Sequence, residues 1–158
     1  MTNEGGRGAQ LPAHLYLDQL GLPYERRTFP ATTEKGAANV ARALGFREHQ
    51  MVKTLIFEVD TGEPVLVMLG GDQSAISGHL KKAIGSRNIR MASPEAVKAT
   101  TGYEIGSIPP FHWQPDGFRS FMDESLMSEP VLGVGLWGEE ILIAPAHLVQ
   151  AAVRRWST

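Results

Sequence analysis

The sequence predicts a mixed α/β domain built around a largely antiparallel sheet. Short apolar runs are joined by tight turns, helical periodicities are interspersed among them, and 42% of the 158 residues are apolar. That length suits one domain with a core large enough to need neither disulfide nor structural metal.

Pro12 to Leu20 reads as a short helix with Leu15, Leu17 and Leu20 toward the core, ended by Gly21 and Pro23. Tyr24 to Phe29 reads as a strand. A second helix follows Thr32 and Thr33 as caps and carries Ala37, Val40, Ala41 and Leu44 at helical spacing, with Gly45 as its stop. The strongest β signal is MVKTLIFEVD (51–60), the turn Thr61-Gly62, and PVLVMLG (64–70), which together predict a hairpin of two well-buried strands.

Ser77 to Ile84 is a short helix and Ile89 to Ala92 a short strand. Ser93-Pro94-Glu95 then opens a helix with a capping hydroxyl, a proline at the first helical position and a carboxylate in the first turn. The segment 102–117 is rich in glycine and proline and reads as an ordered loop. Phe118–Asp123, Val131–Trp137 and Glu140–Ala144 read as strands. Pro145 opens a last helix with Leu148, Val149, Ala152 and Val153 inward and Arg154-Arg155 at its end.

Composition removes several classes of chemistry. There is no cysteine, hence no thiolate nucleophile, disulfide framework or cysteine-ligated zinc. The five histidines show no HExxH spacing, and no GxSxG elbow, P-loop or GxGxxG is present, so neither metal nor cofactor is expected. Gly70-Gly71-Asp72 follows a strand but lacks the later glycine of a dinucleotide fingerprint. A net charge of −2 argues against coating long nucleic acid. Gripping one end needs only a local basic group such as Arg26-Arg27, Lys81-Lys82 with Arg87 and Arg90, or Arg154-Arg155. No signal-peptide pattern opens the chain, and no apolar run reaches the ~18 residues of a membrane span. The expectation is a cytoplasmic protein with a flexible tail over 1–10 and one domain over 11–158.

Lys53 stands out on physical grounds. Alternation places Met51, Lys53, Leu55, Phe57 and Val59 on one strand face. A lysine heading an apolar face must snorkel, pair with an acid, or serve a ligand. In the loop 101–113, Gly106 and Pro109-Pro110 make a rigid turn whose backbone N–H groups could face a pocket walled by Phe111, His112 and Trp113; an ordinary packed loop is the alternative. Gly133 and Gly135 share one strand face and leave room for a ligand, another backbone or a bend. Asp123 caps the turn Glu124-Ser125-Leu126 or supports the pocket.

From about Ala13 to Val153 the chain resembles the YbaK-like and prolyl-tRNA editing domains. The landmarks occur in order: ARALG (41–45), MVKTLIFEV, SPEAVKATTGYEIGSIPP (93–110), FMDESL (121–126), VLGVG (131–135) and EEILIAPAHL (139–148). The resemblance implies a central sheet or partial barrel with surrounding helices, and metal-free hydrolysis of the ester joining an incorrect amino acid to tRNA. It makes Lys53 the residue that orients and polarises the aminoacyl end. It implies substrate contacts from Phe29, Thr54, Gly106, Ser107, Ile108, Pro109, Pro110, His112, Asp123, Gly133 and Gly135. The implied partners are the tRNA acceptor end and an aminoacyl-tRNA synthetase.

Cysteinyl-type members commonly carry a serine where Gly133 lies, an aspartate where Glu140 lies and a tyrosine where Phe29 lies. Alanyl-type members usually have asparagine where this chain has Thr54, and His112 falls where glycine is frequent. These departures leave a second reading open, a non-catalytic module that binds the acceptor end or a synthetase.

Overall fold

The computed structural model describes residues 10–30, 32–34, 36–74, 78–136 and 138–153. The expectations for 1–9, Ser77, Trp137 and Arg154-Arg155 lie outside them. In chain order the helices are α1 (Pro12–Leu20), α2 (Ala37–Leu44), α3 (Gly78–Ile84), α4 (Pro94–Thr101) and α5 (Pro145–Ala152). The strands are β1 (Glu25–Thr28), β2 (Met51–Glu58), β3 (Pro64–Leu69), β4 (Arg90–Met91), β5 (Arg119–Met122), β6 (Leu132–Leu136) and β7 (Glu139–Ile143).

These strands make one mixed sheet in the order β1-β7-β6-β2-β3-β5, with β4 pairing the end of β2. Four pairings are antiparallel (β1–β7, β2–β3, β2–β4, β6–β7) and two are parallel (β2–β6, β3–β5). The described residues form an open sheet rather than a partial barrel, with β1 and β5 as its edges. The β2–β3 hairpin has the expected register, from Lys53↔Leu69 to Glu58↔Pro64. Its turn closes with Val59 N–H donating to the Glu63 carbonyl at 3.1 Å.

Each face of the sheet carries its own apolar cluster. The even residues of β2 join the larger one: Ile56, Leu66, Met68, Val134 and Ile141 pack against Leu17 of α1, Val97 of α4, Leu148 of α5 and Phe111 of the long loop. The odd residues join the smaller one, where Phe57, Val65, Val67 and Phe121 pack under Ile84 of α3. Full burial of side chains of this size contributes about 1.5–3 kcal/mol each. Both faces of β2 and β3 are therefore specified, and a one-residue slip would put Lys53 into the wrong layer.

Three local expectations change. In α1 the buried residues are Ala13, His14 and Leu17, while Leu15 and Leu20 are about half exposed (48% and 47%). Positions 13, 14 and 17 share a helix face; Leu15 points about 200° away from Leu17. His14 is buried because both ring nitrogens are satisfied: Leu11 N–H donates to Nδ1 at 2.9 Å, and Nε2 contacts Glu139 Oε2 at 2.8 Å. An Nδ1 that accepts makes the ring neutral with its proton on Nε2, in accord with burial lowering the His14 pKa.

The cap of α2 is Gly36 at φ 116°, not Thr32 or Thr33. Thr33 instead closes a turn onto the Pro30 carbonyl. Arg26 does not form a surface basic patch with Arg27. Its guanidinium is nearly buried and holds both Glu139 oxygens, at 3.0 and 2.8 Å. By contrast Ser93 caps α4 as expected, accepting from Ala96 N–H at 3.1 Å.

Candidate active site around Lys53

Lys53 lies at the open end of the odd face of β2, beyond the side chains that α3 covers. It is half-buried, and its Nζ donates to the Gln73 carbonyl at 2.7 Å. Among the described residues no carboxylate forms an ion pair with it. The carbonyl it uses belongs to a tight turn after β3: Gly70 N–H donates to Gln73 Oε1 at 2.6 Å, and Gln73 N–H donates to the Gly70 carbonyl at 3.0 Å.

Gly70 and Gly71 are needed for close approach rather than for a special backbone angle. A Cβ on Gly70 would land on the His49 ring, and one on Gly71 on the Glu48 carbonyl and the Ala37 side chain. The two glycines let the single 3-10 turn Glu48–Gln50 press against the exit of β3.

That contact builds a polar chain. His49 Nδ1 is 2.6 Å from Asp72 Oδ1, and its Nε2 is 3.0 Å from Ser125 Oγ. Ser125 Oγ donates to Asp123 Oδ2 at 2.5 Å, and Ser125 N–H donates to the same oxygen at 3.0 Å. The His49 hydrogen bond holds the Asp72 carboxyl below its ordinary range. Burial alone would raise Asp123, but the Ser125 hydroxyl and amide and the Gln73 side chain outweigh it and keep the group low.

On the other side of Lys53, β6 runs parallel to β2 with Met51 level with Gly133. Gly135 is then level with Lys53, and Glu140 pairs with Gly135 across the β6–β7 hairpin. The row therefore reads Lys53, Gly135, Glu140 on one face, with Lys53 and Glu140 two strand spacings, about 10 Å, apart at Cα. The room left by the two glycines is filled by the Glu140 side chain. A Cβ at Gly133 would sit 2.7 Å from Glu140 Oε1 and 2.7 Å from Met51 Cε; one at Gly135 would sit 2.9 Å from Glu140 Oε2.

Glu140 is 6% exposed and its Oε1 is buried without a hydrogen-bond partner. Its register partner Arg27 does not neutralise it, because Arg27 Nε bonds Glu25 at 2.8 Å and the guanidinium lies over Phe46. Desolvation pushes the Glu140 pKa up to about 8, so the group is mainly a neutral acid at pH 7. Gly133→Ala is expected to cost about 1–3 kcal/mol in chemical unfolding, the range for overpacking. Combining it with Glu140→Ala should cost less than the sum of the two single changes, because the part of the clash that falls on the glutamate is then relieved.

The long loop is ordered, and its large side chains face the other layer. Ile108 and Phe111 belong to the larger cluster, on the face of β2 opposite Lys53, and by alternation Thr54 points to that face too. Pro109 and Pro110 are buried. Ser107 uses both donors locally, with its amide and hydroxyl directed to the Glu104 carbonyl at 3.2 and 3.3 Å. Gly106 is exposed at φ 95°.

Among the described residues His112 is the non-glycine residue at positive φ (75°), held by its Nε2 contact to Tyr103 Oη at 2.6 Å, and burial lowers its pKa. Trp113 Nε1 donates to the Pro109 carbonyl at 2.5 Å, and Gln114 ties Pro110, Ala152 and Ser120 together. Phe29 lies half-buried just past β1. The structure thus gathers Lys53, Asp123, Gly133 and Gly135 on one face, and sets Thr54 and the loop's apolar side chains on the other.

Residues 32–149 match the model of the aminoacyl-tRNA editing domain. The chain belongs to that family. This editing domain is 27% identical over 136 residues to EbsC of Enterococcus faecalis, described as a candidate Cys-tRNA(Pro)/Cys-tRNA(Cys) deacylase; the match covers 84% of this chain and 82% of that one. It is 38% identical over 90 residues to the proline–tRNA ligase of Maridesulfovibrio salexigens, covering 57% of this chain and 15% of the ligase. The domain therefore spans only a small part of the ligases it matches. Its fold is similar to the crystal structure of a candidate trans-editing enzyme for prolyl-tRNA synthetase, with TM-score 0.75 and 25% identity over 92% of this chain and 96% of that one.

Sequence reading did not place Gln73, His49, Asp72 or Ser125 at the Lys53 site of this editing domain. It met Glu140 only as a departure from relatives. A usable signal existed for Glu140: in a tight 132–143 hairpin, EEILI sets one glutamate across from the alternating glycines. None existed for His49 and Ser125, which are 76 residues apart.

Proposed function

We propose that this chain hydrolyses the ester of mischarged aminoacyl-tRNA, acting in trans and on small amino acids. The observation that carries the reading is Lys53: a half-buried ammonium on an apolar strand face, anchored by a main-chain carbonyl and lying within the span that matches the editing-domain model. With one N–H on Gln73, the remaining donors can meet the terminal nucleotide or the ester carbonyl oxygen. There they stabilise the negative charge that develops when water attacks the carbonyl carbon. The carbon–oxygen bond to the ribose then breaks, the ribose oxygen leaves with a proton, and the free amino acid is released. An aminoacyl ester is already activated, so positioning supplies much of the catalysis.

No metal or cofactor enters this scheme. The partner is the aminoacylated acceptor end of tRNA, with a synthetase as a further partner, and the reaction belongs in the cytoplasm. No helix among the described residues is long and apolar enough to cross a membrane.

The Glu140 side chain and Met51 occupy the space over Gly133, which supports a site that takes a small aminoacyl side chain. Discrimination by one methylene amounts to about 1–3 kcal/mol, so activity on two or three small groups should overlap. Initial deacylation rates on tRNAs carrying alanine, serine, threonine, cysteine and proline test this. Exclusive turnover of the cysteinyl ester, or equal turnover of a bulky aromatic one, would refute the size argument; no turnover of any ester would favour a binding module.

A further inference from the structure

We propose that His49 is a positioning residue for the Lys53 site: a doubly protonated imidazole that ties the turn carrying Lys53's anchor to the segment after β5. The inference rests on the deacylase reading of Lys53 and adds to it a residue that local sequence patterns did not place there.

Counting hydrogens leads to this state. Ser125 Oγ and Asp123 Oδ2 are 2.5 Å apart, which requires a proton between them. Asp123 is ionised, so the serine's single hydrogen fills that place. Ser125 Oγ can then only accept at its 3.0 Å contact with His49, so Nε2 carries a hydrogen. Asp72 is likewise an acceptor, so the 2.6 Å contact at Nδ1 needs a second hydrogen. A neutral ring satisfies one of these contacts and loses the other.

Among the described residues, Asp72 after β3 contacts the ring and the Asp123 carboxylate after β5 interacts with it electrostatically, while Lys53 on β2 and Arg47 interact with Asp72.

The chain of contacts closes on Lys53. Asp72 directly precedes Gln73, whose carbonyl receives Lys53 Nζ and whose side chain bonds Asp123. Gly70 gives the His49 ring its seat, because a side chain there would expel it. With His49 in place, the turn 70–73 is held from both sides. When His49 is removed or neutral, the turn keeps only its internal bonds and the Lys53 anchor gains freedom. Misplacement of a catalytic group by about 1 Å is enough to cost up to about 100-fold in rate.

The test uses the full chain and a small-aminoacyl tRNA, alanyl-tRNA for example, with wild type, His49→Ala, Ser125→Ala and Lys53→Ala. Thermal unfolding is followed for each protein. The expected result is a fall in kcat of about 10- to 100-fold for His49→Ala, with KM little changed and a smaller fall for Ser125→Ala.

A Lys53→Ala protein that is inactive beside His49→Ala and Ser125→Ala proteins with wild-type kcat would overturn the clamp and leave the deacylase reading intact. So would an effect confined to KM. Full activity in Lys53→Ala would overturn both.

Discussion

Lys53→Ala is expected to reduce deacylation by at least about 100-fold, the scale on which removal of one charge-stabilising donor acts. The fold should survive. Lys53 is half-buried at the end of its strand face, and its hydrogen bond goes to a main-chain carbonyl that water can satisfy. Loss of such a bond costs about 0.5–1.5 kcal/mol. The apolar residues that hold β2, namely Ile56 and Phe57, are untouched.

Lys53→Arg should also be poorly active. A planar guanidinium cannot place a compact ammonium's donors against both the Gln73 carbonyl and a substrate oxygen. Single-turnover deacylation and circular dichroism on the same preparations decide the matter. A well-folded Lys53→Ala enzyme with wild-type rates would remove Lys53 from the mechanism.

The second large effect is on stability. The buried Glu140 carboxyl holds its proton to about pH 8, whereas in the unfolded chain it ionises near 4.5. Between those values the native state binds more protons than the unfolded state, so stability falls as pH rises. The loss is absent below about pH 4.5 and approaches about 5 kcal/mol above pH 8, at about 1.4 kcal/mol per pH unit of difference.

Glu140→Gln removes this slope. It leaves an unpaired amide in its place, at a cost of about 1–3 kcal/mol that does not vary with pH. The variant should therefore be the less stable protein at pH 4.5 and gain on wild type steadily up to pH 8. Urea unfolding at several pH values measures it. Taking the difference between the two proteins cancels His14, His112, Asp72, Asp123 and Glu139, whose lowered pKa values act the opposite way. Parallel curves for wild type and Glu140→Gln would mean that Glu140 is ionised in the folded protein.

The two expectations illuminate different routes from sequence to site. Lys53 was legible because strand alternation is a period-two code: one charged residue on an otherwise apolar face is visible in the ten residues of MVKTLIFEVD. Ser93 was legible as a cap for a similar reason, since the hydroxyl and the N–H it satisfies lie three residues apart. Glu140 was half legible, because its row depends on the register of the β6–β7 hairpin. The exposed Leu15 and Leu20 mark the limit of reading a helix by composition, since several apolar residues of α1 compete and tertiary packing selected the face carrying His14.

By itself the sequence determined the class of fold, the β2–β3 hairpin, the cap of α4, and the lysine that a functional account must explain. It also removed cysteine chemistry, because an absent residue type needs no geometry to be excluded. Only the tertiary structure decided that the sheet is open, that Glu140 fills the space above Gly133 and Gly135, and that Thr54 and the apolar side chains of the long loop face the layer opposite Lys53. It alone joined His49 to Asp72 and Ser125, across 23 and 76 residues. The reason is range. Alternation, helical period and capping act over a few residues and leave their mark in the local sequence. Contacts between segments from different parts of the chain arise when buried apolar area draws strands together, and any polar residue that then meets a partner carries no local sign of it.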